Sequence, residues 1–167
     1  MKLVTYRASV EAEARLGVVH DDLVVDVANL GADYDEDLPD TMLDLIDLGR
    51  PALDTLRACL DDAEGAFAPG TAIALANVRL LAPIPRPRKN IFGIGLNYVE
   101  HVAESAASLD TSKDLPKQPV IFSKPPTCVI GPGDAIEHNA NITQQLDWEV
   151  ELAVIIGTTA RRVRREA

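Results

Sequence analysis

Three prolines within five residues divide this chain into two parts. They lie at residues 83–87, where the sequence reads Pro-Ile-Pro-Arg-Pro. Because proline fixes φ and lacks a backbone N–H, a segment with this spacing cannot continue a helix or a central strand. The sequence therefore predicts an extended connector over residues 83–89, with one domain at residues 1–82 and a second at residues 90–167.

The first domain has the pattern of a small α/β unit. Short apolar runs bounded by turn residues predict four strands, and apolar residues at helical spacing predict two helices. Two aspartates between the second and third strands predict a hairpin, and Asp40 is placed to cap the first helix. The predicted strands are Leu3–Arg7, Arg15–His20, Leu23–Val27 and Val78–Leu81, and the predicted helices are Thr41–Leu48 and a segment that begins near Pro51 and ends at Gly65.

The second domain is predicted to mix short strands with one helix. Glycine and proline clusters bound its apolar runs. The predicted strands are Asn90–Gly95, Pro119–Ser123 and Thr127–Ile130, the helix is Tyr98–Ala107, and a tight turn is predicted at Gly131–Asp134.

The net charge argues against nucleic acids and anionic membranes as partners. The net charge is −10, and residues 1–82 carry 16 acidic and 6 basic residues. Nucleic acids and anionic membranes bind positive surfaces, so neither is expected as a partner.

No apolar run approaches the roughly 18 residues that cross a bilayer, and the N-terminus lacks the pattern of a signal peptide. Cys59 and Cys128 match no ligand spacing and are expected to be reduced and partly buried, as in a cytoplasmic protein.

An acidic segment, Asp147-Trp148-Glu149-Val150-Glu151, opens a run that is otherwise typical of a buried strand. Side chains alternate along a strand, so the three carboxylates would share one face, and Trp148 would point into the core on the other. Carboxylates stacked about 6.6 Å apart destabilise a sheet unless something neutralises them, and a hard divalent cation can do so. A solvated acidic face explains the spacing equally well.

His101 and Glu104 form a second candidate pair. At positions i and i+3 of the predicted helix they share a face, where a carboxylate can hold the second nitrogen of an imidazole. That contact fixes the tautomer and raises the basicity of the histidine, as a general base near neutral pH requires. The same spacing also fits an ordinary surface histidine beside a glutamate. Tyr98, in the same segment, can either pack or contact substrate.

Four sequence blocks follow one another in the second domain. They are Gly95-Leu96-Asn97-Tyr98-x-x-His101-x-x-Glu104, Phe122-Ser123-Lys124-Pro125-Pro126-Thr127, Gly131-Pro132-Gly133-Asp134, and Leu146-Asp147-Trp148-Glu149-Val150-Glu151-Leu152. Their order and spacing resemble those of the fumarylacetoacetate hydrolase family. The resemblance covers residues 90–167, and residues 1–82 resemble the more variable N-terminal domain of the same family.

The resemblance implies a fold and a set of site residues. It implies an α+β chain, in which a small N-terminal α/β domain precedes the first part of a mixed β-roll catalytic domain that pairs into a homodimer when complete. It makes Glu149 and Glu151 ligands of a divalent ion, which is Mg²⁺, Mn²⁺ or Ca²⁺. His101 and Glu104 become the pair that activates water or moves a proton. Lys124 and Thr127 are implied to contact substrate, as their block does in relatives; Pro125-Pro126 between them fits a rigid strand-to-turn element equally well. Tyr98 is kept as a further candidate for substrate contact.

The sequence departs from the family at the third metal ligand. In relatives an aspartate further along the chain completes the site, whereas this sequence ends at Ala167, sixteen residues after Glu151. We therefore expect a catalytic domain truncated at its C-terminus. Asp147 could replace the aspartate only if the strand bends, because the far end of three alternate positions lies about 13 Å away.

The implied chemistry is that of 2-oxo acids, and the expected partner is a small 2-oxo or β-diketo acid. A divalent cation can chelate adjacent oxygens of such an acid and stabilise an enolate, while a His–Glu pair deprotonates water. These parts suit a hydrolase that cleaves a C–C bond of an acylpyruvate or fumarylacetoacetate-type substrate. They also suit an isomerase or decarboxylase of aromatic-compound catabolism, acting on a hydroxyheptadienedioate or on oxaloacetate. An inactive fragment is the remaining alternative.

Overall fold

The N-terminal part of the protein contains an antiparallel sheet of five strands in a computed structural model, which describes residues 1–103, 116–164 and 166. The strand order is β4-β3-β2-β1-β5, and every pairing is antiparallel. The four strands predicted here are confirmed, and β4 is an additional strand that the sequence does not predict. The strands are β1 Lys2–Arg7, β2 Arg15–His20, β3 Leu23–Asp26, β4 Ala72–Ala74 and β5 Arg79–Leu80.

Three helices accompany this sheet. The two predicted helices are confirmed, and a third follows β3 directly. Thr41, rather than the predicted Asp40, caps the second helix, because the Thr41 hydroxyl accepts a hydrogen bond from the Asp44 N–H at 3.2 Å. The helices are α1 Val27–Asp33, α2 Met42–Leu48 and α3 Arg50–Ala63.

The core lies among β2, β3 and the three helices. Leu16 and Val25 from the sheet pack in one cluster with Leu30, Leu45 and Leu56 from the helices, and all five side chains are buried. Cys59 is buried in the same cluster, and burial raises the pKa of its thiol. Cys128 is exposed, so the expectation of partial burial is wrong for that residue.

Asp26 is a buried carboxylate at the junction of β3 and α1. Its oxygens accept hydrogen bonds from the Tyr6 hydroxyl at 2.7 Å and from Arg15 Nη2 at 2.7 Å. It also caps α1 by accepting the N–H of Asn29 at 2.9 Å. Burial opposes ionisation of Asp26, but the hydrogen bonds from Arg15, Asn29 and Tyr6 outweigh it and lower its pKa. Burial and the hydrogen bond to Asp26 raise the pKa of Tyr6.

A two-stranded antiparallel ribbon belongs to a second compact unit, residues Pro85–Ile130. It pairs β6 Ile91–Gly95 with β7 Val120–Lys124 and thereby confirms two predicted strands. The ring of Phe122 lies over Gly93, where a Cβ atom would clash with it. Residues 99–103 are helical after the ribbon's first strand, within the predicted helix Tyr98–Ala107.

The first compact unit comprises Met1–Ile84 and Gly131–Ala167. The predicted division into residues 1–82, 83–89 and 90–167 stays a prediction.

Two predicted strands are wrong. Pro126–Cys128 is a 3₁₀ helix, which suits a segment that begins with a proline. Residues 147–156 belong to no strand, and Trp148, expected in the core, is 79% exposed. A strand needs a neighbour to satisfy its backbone N–H and C=O groups, and no segment in the described part of the chain pairs with this one.

The protein is α+β, as predicted, with antiparallel pairing in both sheets. Among the described residues, no helix combines the length and the apolar character needed to cross a bilayer.

Candidate functional site

The strand-to-helix turn after β6 positions the predicted histidine. Leu96 has a φ of 51°, in the left-handed region that residues with a side chain seldom adopt. Leu96 follows the last residue of the strand, and the helical residues 99–103 begin three positions later. His101 therefore lies on the first helical turn beyond the ribbon. Backbone strain of this kind is concentrated at functional sites in proteins.

The His101 imidazole contacts the ring of Tyr98. The two ring centroids are 5.2 Å apart, and the planes are tilted by 42°. His101 is half-buried, whereas 57% of Tyr98 is exposed. A ring pair at this centroid distance is within the range of favourable aromatic contacts. Glu104, the predicted carboxylate partner, lies outside the described residues.

A cleft opens at the end of the ribbon beside this turn. Its volume is about 310 Å³. Its apolar wall comes from the ribbon, and its polar groups are Asn97, Lys117 and Gln118. The lining residues are Ile94, Gly95, Leu96, Asn97, Pro116, Lys117, Gln118, Pro119 and Val120.

Two other predicted substrate contacts lie on the ribbon and beyond it. Lys124 is the last residue of β7, and its ammonium group stands 5.7 Å from the centroid of the Phe122 ring. Thr127 lies in the 3₁₀ helix that follows and is exposed. Neither residue lines the cleft. Their contact with substrate stays a prediction.

The predicted metal ligands are exposed in a segment without strand structure. The side chains of Glu149 and Glu151 have the oxygen donors that hard divalent cations take. No group of three potential metal-binding side chains is assembled within residues 1–103, 116–164 and 166. The donor chemistry of Glu149 and Glu151 therefore fits a divalent ion, while two carboxylates alone fall short of a complete site.

The predicted turn at Gly131–Asp134 is confirmed and is tied to the first sheet. Gly133 has a φ of 79°, and the Asp134 N–H donates to the Gly131 carbonyl at 3.2 Å. The Asp134 carboxylate accepts the Gly131 N–H at 2.8 Å and Arg79 Nη2 at 2.7 Å. The Gly131 N–H and then Arg79 lower the pKa of Asp134. Sequence reasoning missed this ion pair, because its partners are 55 residues apart and follow no period.

Comparison with known proteins finds similar sequences for both parts of the chain. Residues 90–167 match the family described as "Fumarylacetoacetate (FAA) hydrolase C-terminal". The chain is 34% identical over 166 residues to the mitochondrial oxaloacetate tautomerase fahd2 of Xenopus laevis, an alignment that covers 99% of this chain and 47% of that protein. It is 43% identical over 93 residues to the oxaloacetate tautomerase YisK of Bacillus subtilis, covering 56% of this chain and 30% of the relative.

Two solved structures are similar to this chain. A putative HpcE protein from Mycobacterium smegmatis superposes with a TM-score of 0.52 at 27% identity, covering 84% of this chain and 41% of that one. Maleylpyruvate hydrolase from Sphingobium sp. SYK-6, in complex with manganese(II) and pyruvate, gives a TM-score of 0.50 at 28% identity, covering 81% and 41%. The chain thus spans about half the length, or less, of the proteins it matches.

Proposed function

Because this chain belongs to the fumarylacetoacetate hydrolase family through residues 90–167, we propose that it is part of an enzyme that tautomerises a 2-oxo acid of the oxaloacetate type. The observation that carries the proposal is the 34% identity to an oxaloacetate tautomerase, which extends over 99% of the chain. The isomerase alternative from the sequence is therefore preferred to C–C hydrolysis, which the sequence had placed first.

His101 is proposed to move the proton. Tautomerisation takes a proton from the carbon beside the keto group and places one on the keto oxygen, so one base that also serves as an acid is sufficient. The half-burial of the imidazole and its contact with the ring of Tyr98 support this role. Glu104 is proposed to hold the second imidazole nitrogen. The described residues supply no competing histidine on this unit, since His20 and His138 belong to the other.

Glu149 and Glu151 are proposed to contribute to a divalent-ion site. Manganese in the similar maleylpyruvate hydrolase supports the use of a divalent ion in the family. When bound, such an ion draws electron density from the oxygens of a 2-oxo acid and reduces the cost of the negative charge that develops there. The identity of the ion, whether Mg²⁺, Mn²⁺ or Ca²⁺, is part of the proposal, as are the homodimer and the cytoplasmic location.

Hydrolysis of a β-diketo acid is the second candidate. It is favoured by the similarity to maleylpyruvate hydrolase, which superposes over 81% of this chain. The two reactions share the proton transfer but differ in whether water attacks a carbonyl. Tyr98, Lys124 and Thr127 are proposed as substrate contacts in either case.

One set of assays separates these activities. The full-length protein is incubated with the enol form of oxaloacetate and with acetylpyruvate, each with and without added Mn²⁺. We expect the ultraviolet absorbance of the enol to decay faster than in buffer, with no more pyruvate formed than in the same buffer without protein and with slow or no consumption of acetylpyruvate. Release of acetate and pyruvate from acetylpyruvate would instead establish the hydrolase, and release of pyruvate from oxaloacetate faster than in the same Mn²⁺ buffer without protein would establish a decarboxylase. Buffer-level rates on both substrates would leave the inactive alternative.

A further inference from the structure

We propose that the cleft at the end of the ribbon binds the second carboxylate of a dicarboxylic 2-oxo acid, with Lys117 as the residue that selects it. The inference rests on the proposed function and extends it, because it names a binding residue and a substrate class. Lys117 lies outside the four sequence blocks that resemble the family.

Lys117 is a cation without an anionic partner among the described residues. It is exposed at the mouth of the cleft, and it forms no ion pair with any residue in the described part of the chain. Of the described residues that line the cleft, it is also the one cation. An ammonium group in such a place offers three N–H donors to an incoming anion.

The neighbouring polar groups suit a carboxylate rather than a phosphate. Asn97 and Gln118 line the cleft together with Lys117, and each side-chain amide offers N–H donors. One positive charge and a few neutral donors match the single charge and two oxygens of a carboxylate. The apolar wall of Ile94 and Val120 suits the short carbon chain that would carry it.

The similar proteins supply the reason for a second carboxylate. Oxaloacetate and maleylpyruvate, which give two of those proteins their names, are both dicarboxylic acids. One carboxylate of each adjoins the keto group where the chemistry occurs, and the other is available to contact a separate cation. Lys124 suits this role less well, because its ammonium group stands near the Phe122 ring and outside the cleft.

The first test compares two substrates in the full-length protein. The enol forms of oxaloacetate, a dicarboxylate, and phenylpyruvate, a monocarboxylate, are supplied to the wild type, to Lys117→Met and to Lys117→Arg. We expect Lys117→Met to lower kcat/KM for oxaloacetate about tenfold to a hundredfold, the range for a lost hydrogen bond to a charged group, with little change for phenylpyruvate. Lys117→Arg should retain most of the preference, because it keeps the charge.

The matched control is Lys89→Met, which removes an exposed lysine of the same unit that does not line the cleft. It should leave both rates at wild-type values. Equal losses on both substrates in Lys117→Met, or an unchanged preference for oxaloacetate, would overturn the inference while leaving the proposed function intact.

A second measurement does not depend on turnover. Succinate is titrated into isotope-labelled full-length protein, and the amide resonances of Gly95, Asn97 and Gln118 are followed. We expect saturable shifts in the wild type and in Lys89→Met, and at least a tenfold weaker response in Lys117→Met. The absence of shifts, or shifts of equal strength in Lys117→Met, would overturn the inference even if the protein proved inactive on both enols.

Discussion

Replacing Asp26 by asparagine should destabilise the five-stranded sheet unit by about 2 kcal/mol. Asp26 is 2% exposed and accepts hydrogen bonds from Arg15, Tyr6 and the Asn29 N–H. Asparagine keeps one carbonyl oxygen for the helix cap but turns the other acceptor into a donor that faces the guanidinium of Arg15. A hydrogen bond to a charged group contributes about 1.5–3 kcal/mol. The lower part of that range applies, because the Arg15 side chain is 37% exposed and water can replace part of the contact.

The pH dependence of this loss has a definite sign. The folded-state pKa of Asp26 is lowered from its ordinary value of about 3.9, so its ionisation stabilises the folded state at pH values above that. The stabilisation is lost as the pH falls through the folded-state pKa. An asparagine side chain does not titrate in this way, so the difference in stability between the wild type and Asp26→Asn should be largest near neutral pH and should shrink below about pH 4.

The assay has to report on this sheet alone. Trp148 is the only tryptophan and lies exposed outside the sheet, so its fluorescence is a poor probe. Native-state hydrogen exchange of the β2 amides in urea gives the free energy of opening for the sheet itself. Asp22→Asn, an exposed change in the β2–β3 turn, is the control and should stay within about 0.5 kcal/mol of the wild type. An Asp26→Asn protein within about 0.5 kcal/mol of the wild type would refute the reasoning.

Three further predictions concern the second unit and the acidic segment. His101→Ala should lower turnover by about 10²–10⁴ if His101 moves the proton. Tyr98→Phe should retain most of the rate, because it keeps the ring that contacts the imidazole, whereas Tyr98→Ala should not; equal losses in the two variants would show that the hydroxyl is required. Glu149→Gln and Glu151→Gln should each abolish Mn²⁺-dependent turnover and weaken Mn²⁺ binding measured by calorimetry; full activity in either would exclude it as a ligand. Gly93→Ala should reduce exchange protection of the ribbon amides by at least tenfold, because the new Cβ meets the facing aromatic ring, and unchanged protection would show that the ring moves aside at little cost.

Local signals account for most of what the sequence predicted in the fold. The β2–β3 hairpin follows from two apolar runs around an aspartate pair, and Asp21 adopts the positive φ, 50°, that such a turn requires. Helix α3 follows from its period and from a proline in its first turn. The sequence does not reveal helix α1, because its cap, Asp26, also ends strand β3 and its first residue, Val27, continues the apolar run of that strand.

The candidate site was predictable only in part, for a related reason. The spacing of His101 to Glu104 and the family resemblance point to His101, and the structure places it on a helical turn after β6. The sequence does not point to Lys117, since nothing in it shows that two separated segments meet at the cleft. The Arg79–Asp134 pair escaped notice for the same reason. Contacts between residues far apart in the sequence depend on the topology of the fold, which a single sequence does not reveal directly.

The acidic segment shows how strand formation and ion binding depend on each other. Alternation predicts which residues would share a face, yet 93% of Leu152 is exposed and the segment pairs with no described strand. Without pairing, nothing fixes the spacing of Glu149 and Glu151, and an ion would have to order the backbone as well as bind to it. An ion that binds only the ordered form stabilises it by mass action, so Mn²⁺ should raise exchange protection of the Val150 amide in the full-length protein. Strong protection without the ion would mean that the strand forms first and presents a finished pair of ligands; protection in neither state would remove the basis for placing the ion on this segment.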